Sequence, residues 1–327
     1  MYIPVKKNIT FEPIEHKYTD DEGNVYLSAT QLIGQLEPKF DTEFWGVFTA
    51  LKRFGYKPYP NPKDRTICPN PRKNKTQISL EELLSYGKLY SMYNDVIQEW
   101  ELTNEKACNR GNEIHDYLES CIKKYQKDYV KDIGDLVDKN HNKDYYVKIT
   151  NLEELESSSL KYLHPEIYQY LAVHINNGWV IYGEKRIYLY EYLVSGTIDV
   201  VLVKGKDIKI VDWKTNKDKI KYVSGYYKTK MVKDRDTYTK IKTDEWVETD
   251  DRLNNPLSHL PACKGSIYTI QTSLYAYMLE CWGYKCKDIV IFHIRPNEEG
   301  EEIVERHNIS YRKKDVIALL NYRKSQI

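Results

Sequence analysis

Apolar residues recur along this chain with two different periods, and the places where the period changes divide it into elements. In residues 104–125, Ala107, Ile114, Leu118 and the pair Cys121/Ile122 stand at spacings of three, four and seven. That spacing predicts a helix with one apolar stripe. Three runs at 179–190, 196–203 and 208–214 are instead alternating or continuously apolar and rich in Val, Ile and Tyr, which predicts strands. Helical spacing returns in "YTIQTSLYAYMLECW" (268–282). It gives way to strand-like "DIVIFHIRP" (288–296), a further strand at 304–310 and a terminal helix at 313–323. The order from residue 104 onward is α-β-β-β-α-β. It predicts an α/β chain with a mixed central sheet flanked by helices.

The first hundred residues read as additions to that core. "FEPIEHKYTDDEGNVYLSAT" places an Asp-Asp-Glu-Gly turn between β-prone runs, an N-terminal hairpin. A helix is expected from Ser28 or Thr30 and another at 41–54. Residues 55–78, rich in Pro, Asn and Lys, are expected to be irregular. Ser79 with Glu82 forms a capping box that opens a helix to about residue 100, ahead of the separate helix at 104–125. Residues 126–160 are polar and expected to be loop with broken helix, and His164-Pro165 opens a helix to about 176. The expected division is an N-terminal hairpin and helical region at 1–103, then a core at 104–327 interrupted by an insertion at about 216–262.

Residues 196–215, "GTIDVVLVKGKDIKIVDWKT", place an aspartate inside each of two apolar runs. With Gly205 and Lys206 at the centre of a type II′ turn, Asp199 falls opposite Asp212 and Thr197 opposite Lys214. Opposed residues have Cβ atoms roughly 4.5–5.5 Å apart. Alternation sends Asp199, Val201 and Val203 to the same side as Ile208, Ile210, Asp212 and Lys214. Ile198, Val200, Leu202, Val211 and Trp213 face the other way. Both faces are apolar, so the hairpin lies inside the sheet. Two carboxylates facing each other there repel, and each loses several kcal/mol of hydration. Lys214 could pair with one aspartate while the other sits exposed at a sheet end. A divalent cation would instead offset both charges, and hard oxygen ligands suit Mg²⁺ or Mn²⁺.

Composition changes little. The 49 basic and 48 acidic residues leave a net charge of +1, so any nucleic-acid surface must be local. Thirty tyrosines against six phenylalanines fit either a compositional bias or a set of stacking surfaces. The six cysteines contain no CxxC pair, as expected of reduced thiols. No apolar run is long enough to span a membrane, so a cytoplasmic chain with no membrane partner is expected.

"GTID" followed by "DWK" resembles the PD-(D/E)xK nuclease signature, and three further segments match the family's order. "RGNEIH" (110–115) is similar to the G-x-x-x-H helix of the RecB-like and phage-exonuclease branch. Glu184 stands where that branch carries a strand glutamate. "QTSLY" (271–275) is similar to its Q-x-x-x-Y helix. The resemblance covers roughly residues 104–295 and implies a restriction-endonuclease-like αβββαβ core. It further implies a divalent-metal-dependent DNA nuclease, an exonuclease of replication, recombination or repair, plausibly phage-encoded and acting in the host cytoplasm. A structure- or site-specific endonuclease and a catalytically idle DNA-binding protein are the alternatives.

By that resemblance Asp199 and Asp212 ligate Mg²⁺ or Mn²⁺ together with His115, Glu184 and the Trp213 carbonyl. Lys214 holds the attacking water and stabilises charge on the scissile phosphate. Arg110, Gly111, Gln271 and Tyr275 are expected to face DNA. Lys217 and Lys219 open an insertion whose mixed Lys and Tyr suit single strands or duplex ends. Cluster-bearing members carry a cysteine group after Q-x-x-x-Y. Here Cys263, Cys281 and Cys286 have the wrong spacing, so no iron–sulfur cluster is expected.

Overall fold

The computed structural model describes residues 7, 9–12, 17–123, 147–149, 152–156, 159–234 and 237–327. In chain order the chain begins with β1 (Thr10–Glu12), β2 (Lys17–Thr19), β3 (Val25–Ser28), α1 (Ala29–Gly34) and α2 (Thr42–Arg53). Next come β4 (Tyr59–Asn61), β5 (Thr66–Cys68), β6 (Ile78–Ser79), α3 (Leu80–Leu84) and α4 (Gly87–Lys123). Then follow β7 (Val147–Ile149), α5 (Leu152–Glu156), α6 (Leu160–Leu163), α7 (Pro165–Asn176), β8 (Val180–Leu189), β9 (Val194–Lys204) and β10 (Asp207–Lys214). The last elements are β11 (Gly225–Asp234), β12 (Thr237–Glu248), α8 (Lys264–Cys281), β13 (Lys285–Pro296), β14 (Glu302–Asn308) and α9 (Lys313–Lys324).

These elements group into two compact units, one of residues 1–37, 110–223 and 252–327, the other of residues 38–109 and 224–251. The grouping differs from the expected division at residue 104. The N-terminal strands belong with the core, and the insertion's hairpin belongs with residues 38–109.

The first unit is mixed α/β. Its sheet runs β1-β2-β3-β9-β10-β13-β14, with β8 also on β9 and β7 on β8. β8, β9 and β10 are successively antiparallel, whereas β10 and β13 are parallel. The Gly205–Lys206 turn forms as expected, with Gly205 at φ 61°. The β9–β10 ladder runs from Lys204↔Asp207 to Val200↔Val211, the register inferred from that turn. On one face Val201, Val203, Ile208 and Ile210 pack with α1, α8 and α9. On the other, Val200, Leu202, Val211 and Trp213 pack with Leu118, Cys121 and Ile122 of α4 and with α7.

Ile198 is the exception to the expected alternation, since it joins Val201 and Val203. The cause is an irregularity in β8. Gly183 pairs with Val200 and Lys185 with Ile198, leaving Glu184 out of the ladder at φ 48°. β8 changes phase at the same place, so that Tyr182 shares a face with Ile187 and Leu189. The break falls opposite Asp199.

In the second unit the segment expected to be irregular holds a small antiparallel sheet, β4-β5-β6, with Ile67 and Cys68 buried. Ser79 caps α3, its Oγ accepting from the Glu82 N–H at 3.2 Å, but α3 ends at Leu84. The two helices expected on either side of residues 101–103 are one continuous helix, α4, because Glu-Leu-Thr offers no Gly or Pro to stop it. Residues 225–248 form the antiparallel hairpin β11–β12. Most of the expected loop at 126–160 lies outside the described residues. No helix among the described residues is long and apolar enough to cross a membrane.

Candidate active site

Strand β9 shares one edge between two partners. β3 takes Val194 and Ser195, and β10 takes residues 200–204. Neither strand pairs with residues 196–199, so β10 diverges from β9 at the point where Asp199 and Asp212 stand. There the Asp199 side chain replaces the backbone ladder, its Oδ2 accepting the Trp213 N–H at 2.7 Å.

The aspartates lie close enough to feel each other strongly. Asp199 is pushed up to about 6, first by burial and then by the charge of Asp212; His115, Lys214 and the Trp213 N–H pull the other way. Its Oδ1 lies 3.7 Å from His115 Nδ1 on α4. Asp212, 2% exposed, turns Oδ2 to Lys214 Nζ at 2.7 Å, yet that oxygen has no well-angled hydrogen bond. Burial works against the Lys214 ammonium, but the carboxylates of Asp212 and Asp199 outweigh it and hold its pKa above the usual lysine value. Lys214 therefore stays charged. One ammonium against two carboxylates leaves a net negative charge in a place of low polarity.

The structure brings Asp199, Asp212, Lys214 and His115 together. Their ligand atoms, with those of Glu184, are not gathered into a set of three within 4.8 Å of one another. Each aspartate is turned instead to its nearest donor, Asp199 to a backbone N–H and Asp212 to an ammonium. Glu184 stands beside Asp199 in the register in a left-handed conformation that non-glycine residues adopt at a cost of about 1–2 kcal/mol. Lys217 and Lys219 are exposed just beyond Lys214.

The remaining expected residues have intramolecular partners. Arg110 donates to the Thr215 carbonyl at 2.5 Å and pairs with Glu302 at 3.2 Å, tying α4 to the exit of β10. Gly111 permits the same approach, since a Cβ there would lie 3.1 Å from Thr215 Oγ1. Gln271 donates to Thr30 Oγ1 and to the Tyr275 hydroxyl, each at 3.1 Å. Tyr275 packs on Gly196, where a Cβ would come within 2.7 Å of the ring. Its phenol is held well above the usual value, first by burial and then by Asp212 and Asp199. Tyr275 lines a cavity of about 370 Å³ together with Tyr18, Ser28, Thr30, Gly196 and Thr197.

Sequence reasoning missed Tyr268 and Tyr18. The Lys214 ammonium lies over the Tyr268 ring, 4.8 Å from its centroid. The Tyr268 hydroxyl donates to Asn216 Oδ1 at 3.1 Å. Tyr18 meets Thr197 at 3.2 Å across the opening in the sheet. Tyr268 stands three residues before Gln271, one turn away on the same helix, and that spacing was its only signal. Compared with family models, with curated proteins and with solved structures, the chain matches none.

Proposed function

We propose that the chain is a divalent-metal-dependent DNA nuclease of the PD-(D/E)xK type, with a restriction-endonuclease-like core and exonuclease action in replication, recombination or repair. One observation carries this. The buried Asp212 carboxylate and the half-buried Asp199 carboxyl, whose pKa the charge of Asp212 raises, meet the Lys214 ammonium where β9 and β10 separate. The element order α4, β8, β9, β10, α8, β13 and the parallel β10–β13 pair support the family resemblance.

The donor set fits a hard divalent cation. Its charge is deficient by one positive unit, and Asp212 Oδ2 meets the Lys214 ammonium at 2.7 Å without a well-angled hydrogen bond. Asp199, Asp212, the Trp213 carbonyl and His115 would hold Mg²⁺ or Mn²⁺, with Glu184 beside them. When bound, the ion supplies a Lewis acid that lowers the pKa of a water and neutralises phosphate charge. Lys214, cationic and held over Tyr268, stabilises negative charge developing on the phosphate. Exposed Lys217 and Lys219 contact the phosphates of the strand.

The test is cleavage of 5′- and 3′-labelled single-stranded, duplex and closed circular DNA with Mg²⁺, Mn²⁺ or EDTA. Cleavage of linear substrates is expected with either metal and none with EDTA. Asp212→Ala should reduce the rate at least about 10²-fold with the far-ultraviolet spectrum unchanged. Activity that persists in EDTA or in this variant would rule the mechanism out. Equal cutting of linear and closed circles would make the protein an endonuclease. Metal-independent DNA binding without cleavage would make it an idle binding protein.

A further inference from the structure

A second cluster of metal-ligating side chains lies on β13 and β14. His293 pairs directly with Glu305 in their antiparallel ladder, and His307 follows Glu305 by two residues, so all three project from one face. One ligand atom from each lies within 4.8 Å of the others.

Hydrogen bonding around the cluster leaves one ring nitrogen of each histidine without a partner. His293 Nε2 lies 2.7 Å from the Asn216 carbonyl, which can only accept, so Nε2 carries the hydrogen and Nδ1 has the lone pair. That Nδ1 is buried without a hydrogen-bond partner, in a side chain with no solvent exposure. It faces Glu305 Oε2 at 3.5 Å, one acceptor against another. His307 Nε2 is likewise buried without a partner, while its Nδ1 lies 3.3 Å from the Tyr222 hydroxyl. Arg295 grips Glu305 from the side, Nε to Oε2 at 3.1 Å and Nη2 to Oε1 at 2.5 Å. This fixes the carboxylate plane, and each oxygen keeps a further lone pair.

We propose that His293, Glu305 and His307 form a site for a zinc-class divalent transition metal, separate from the carboxylate pair. Two imidazoles and one carboxylate suit Zn²⁺ and leave a fourth position for water or another ligand, whereas Mg²⁺ demands oxygen donors. Bonds of about 2.0–2.2 Å place tetrahedral ligand atoms roughly 3.4 Å apart, so His293 and Glu305 need no large movement. The Asn216 carbonyl and Arg295 orient the ligands, as partners of metal-bound imidazoles and carboxylates do. His293 also stands beside Lys214 in the β10–β13 ladder. Asn216 accepts from Tyr268, which carries the Lys214 ammonium. Occupancy therefore fixes the segment that positions Lys214.

Co²⁺ titration of the full chain carrying Asp199→Asn and Asp212→Asn tests the site without the other one. One equivalent should bind with visible d–d absorption of low-coordinate cobalt, be displaced by Zn²⁺ and be unaffected by excess Mg²⁺. Adding His307→Ala should weaken binding at least about 100-fold. Lack of such absorption, or equal affinity after His307→Ala, would overturn the assignment and leave a His293–Glu305 ion pair. Should His307→Ala fail to fold, ¹⁵N-histidine spectra of the parent protein decide the matter. Zn²⁺ must shift two imidazoles, and unshifted resonances would overturn it equally. Either result is independent of whether the protein cleaves DNA.

Discussion

Asp199 carries an electrostatic load, since burial and then the charge of Asp212 work against its carboxylate and push its carboxyl up to about 6. Between about pH 4 and pH 6 the folded chain therefore binds more protons than the unfolded one. In metal-free protein this contribution makes stability fall as pH rises through that window, then level off. Asp199→Asn keeps an acceptor for the Trp213 N–H and removes the charge. In EDTA it should unfold at higher urea than the parent at pH 7.5, and the gap should narrow as pH falls from 6 and close below about pH 4. Cleavage should be lost in the same variant. A parent and variant with the same pH dependence of stability would show that Asp199 is not under this electrostatic load.

At the scale of elements, the β9–β10 hairpin was legible because turn chemistry and alternation agree on one register. Gly205 at φ 61° is what the turn requires. Gly205→Ala should destabilise the protein by about 1–2 kcal/mol in denaturant titration; an unchanged midpoint would mean the turn tolerates a side chain. The phase change at Glu184 and Asp199 was not legible. A left-handed residue inside a strand is usually announced by glycine, and here it is a glutamate beside Gly183. Alternation therefore misplaced Ile198 while giving Asp212, Val211 and their neighbours correctly. The continuity of α4 was hidden for the opposite reason. Polar Glu101, Thr103, Asn104 and Glu105 interrupt the apolar stripe without interrupting the helix. Tyr268 was obscured because an aromatic on an apolar helix reads as core until a lysine from another element is found over its ring.

At the scale of the whole molecule, the missed feature was a pairing between distant parts of the chain. The hairpin β11–β12 groups with residues 38–109, although it follows them by more than a hundred positions. Its Tyr238 ring approaches Gly55, where a Cβ would lie 3.0 Å from it and where φ is 79°. Tyr238 and Thr239 line a cavity of about 520 Å³ with Arg53, Met92, Asp95 and Glu99. Local sequence carries no trace of such contacts, since exposed Lys and Tyr in a polar stretch read the same in a solvated loop and in a packed hairpin. The grouping predicts where the damage from losing the hairpin falls. Replacing residues 225–248 with a short Gly-Ser linker removes packing from the C-terminal end of α2, where Arg53 and Gly55 meet Tyr238. Backbone amides of α2 and of the α4 turn around Val96 should lose hydrogen-exchange protection, while β8, β9, β10 and β13 keep theirs. Protection lost equally from the central strands would mean that the hairpin stabilises the sheet as much as its own unit, and the division into two units would not describe how the protein unfolds.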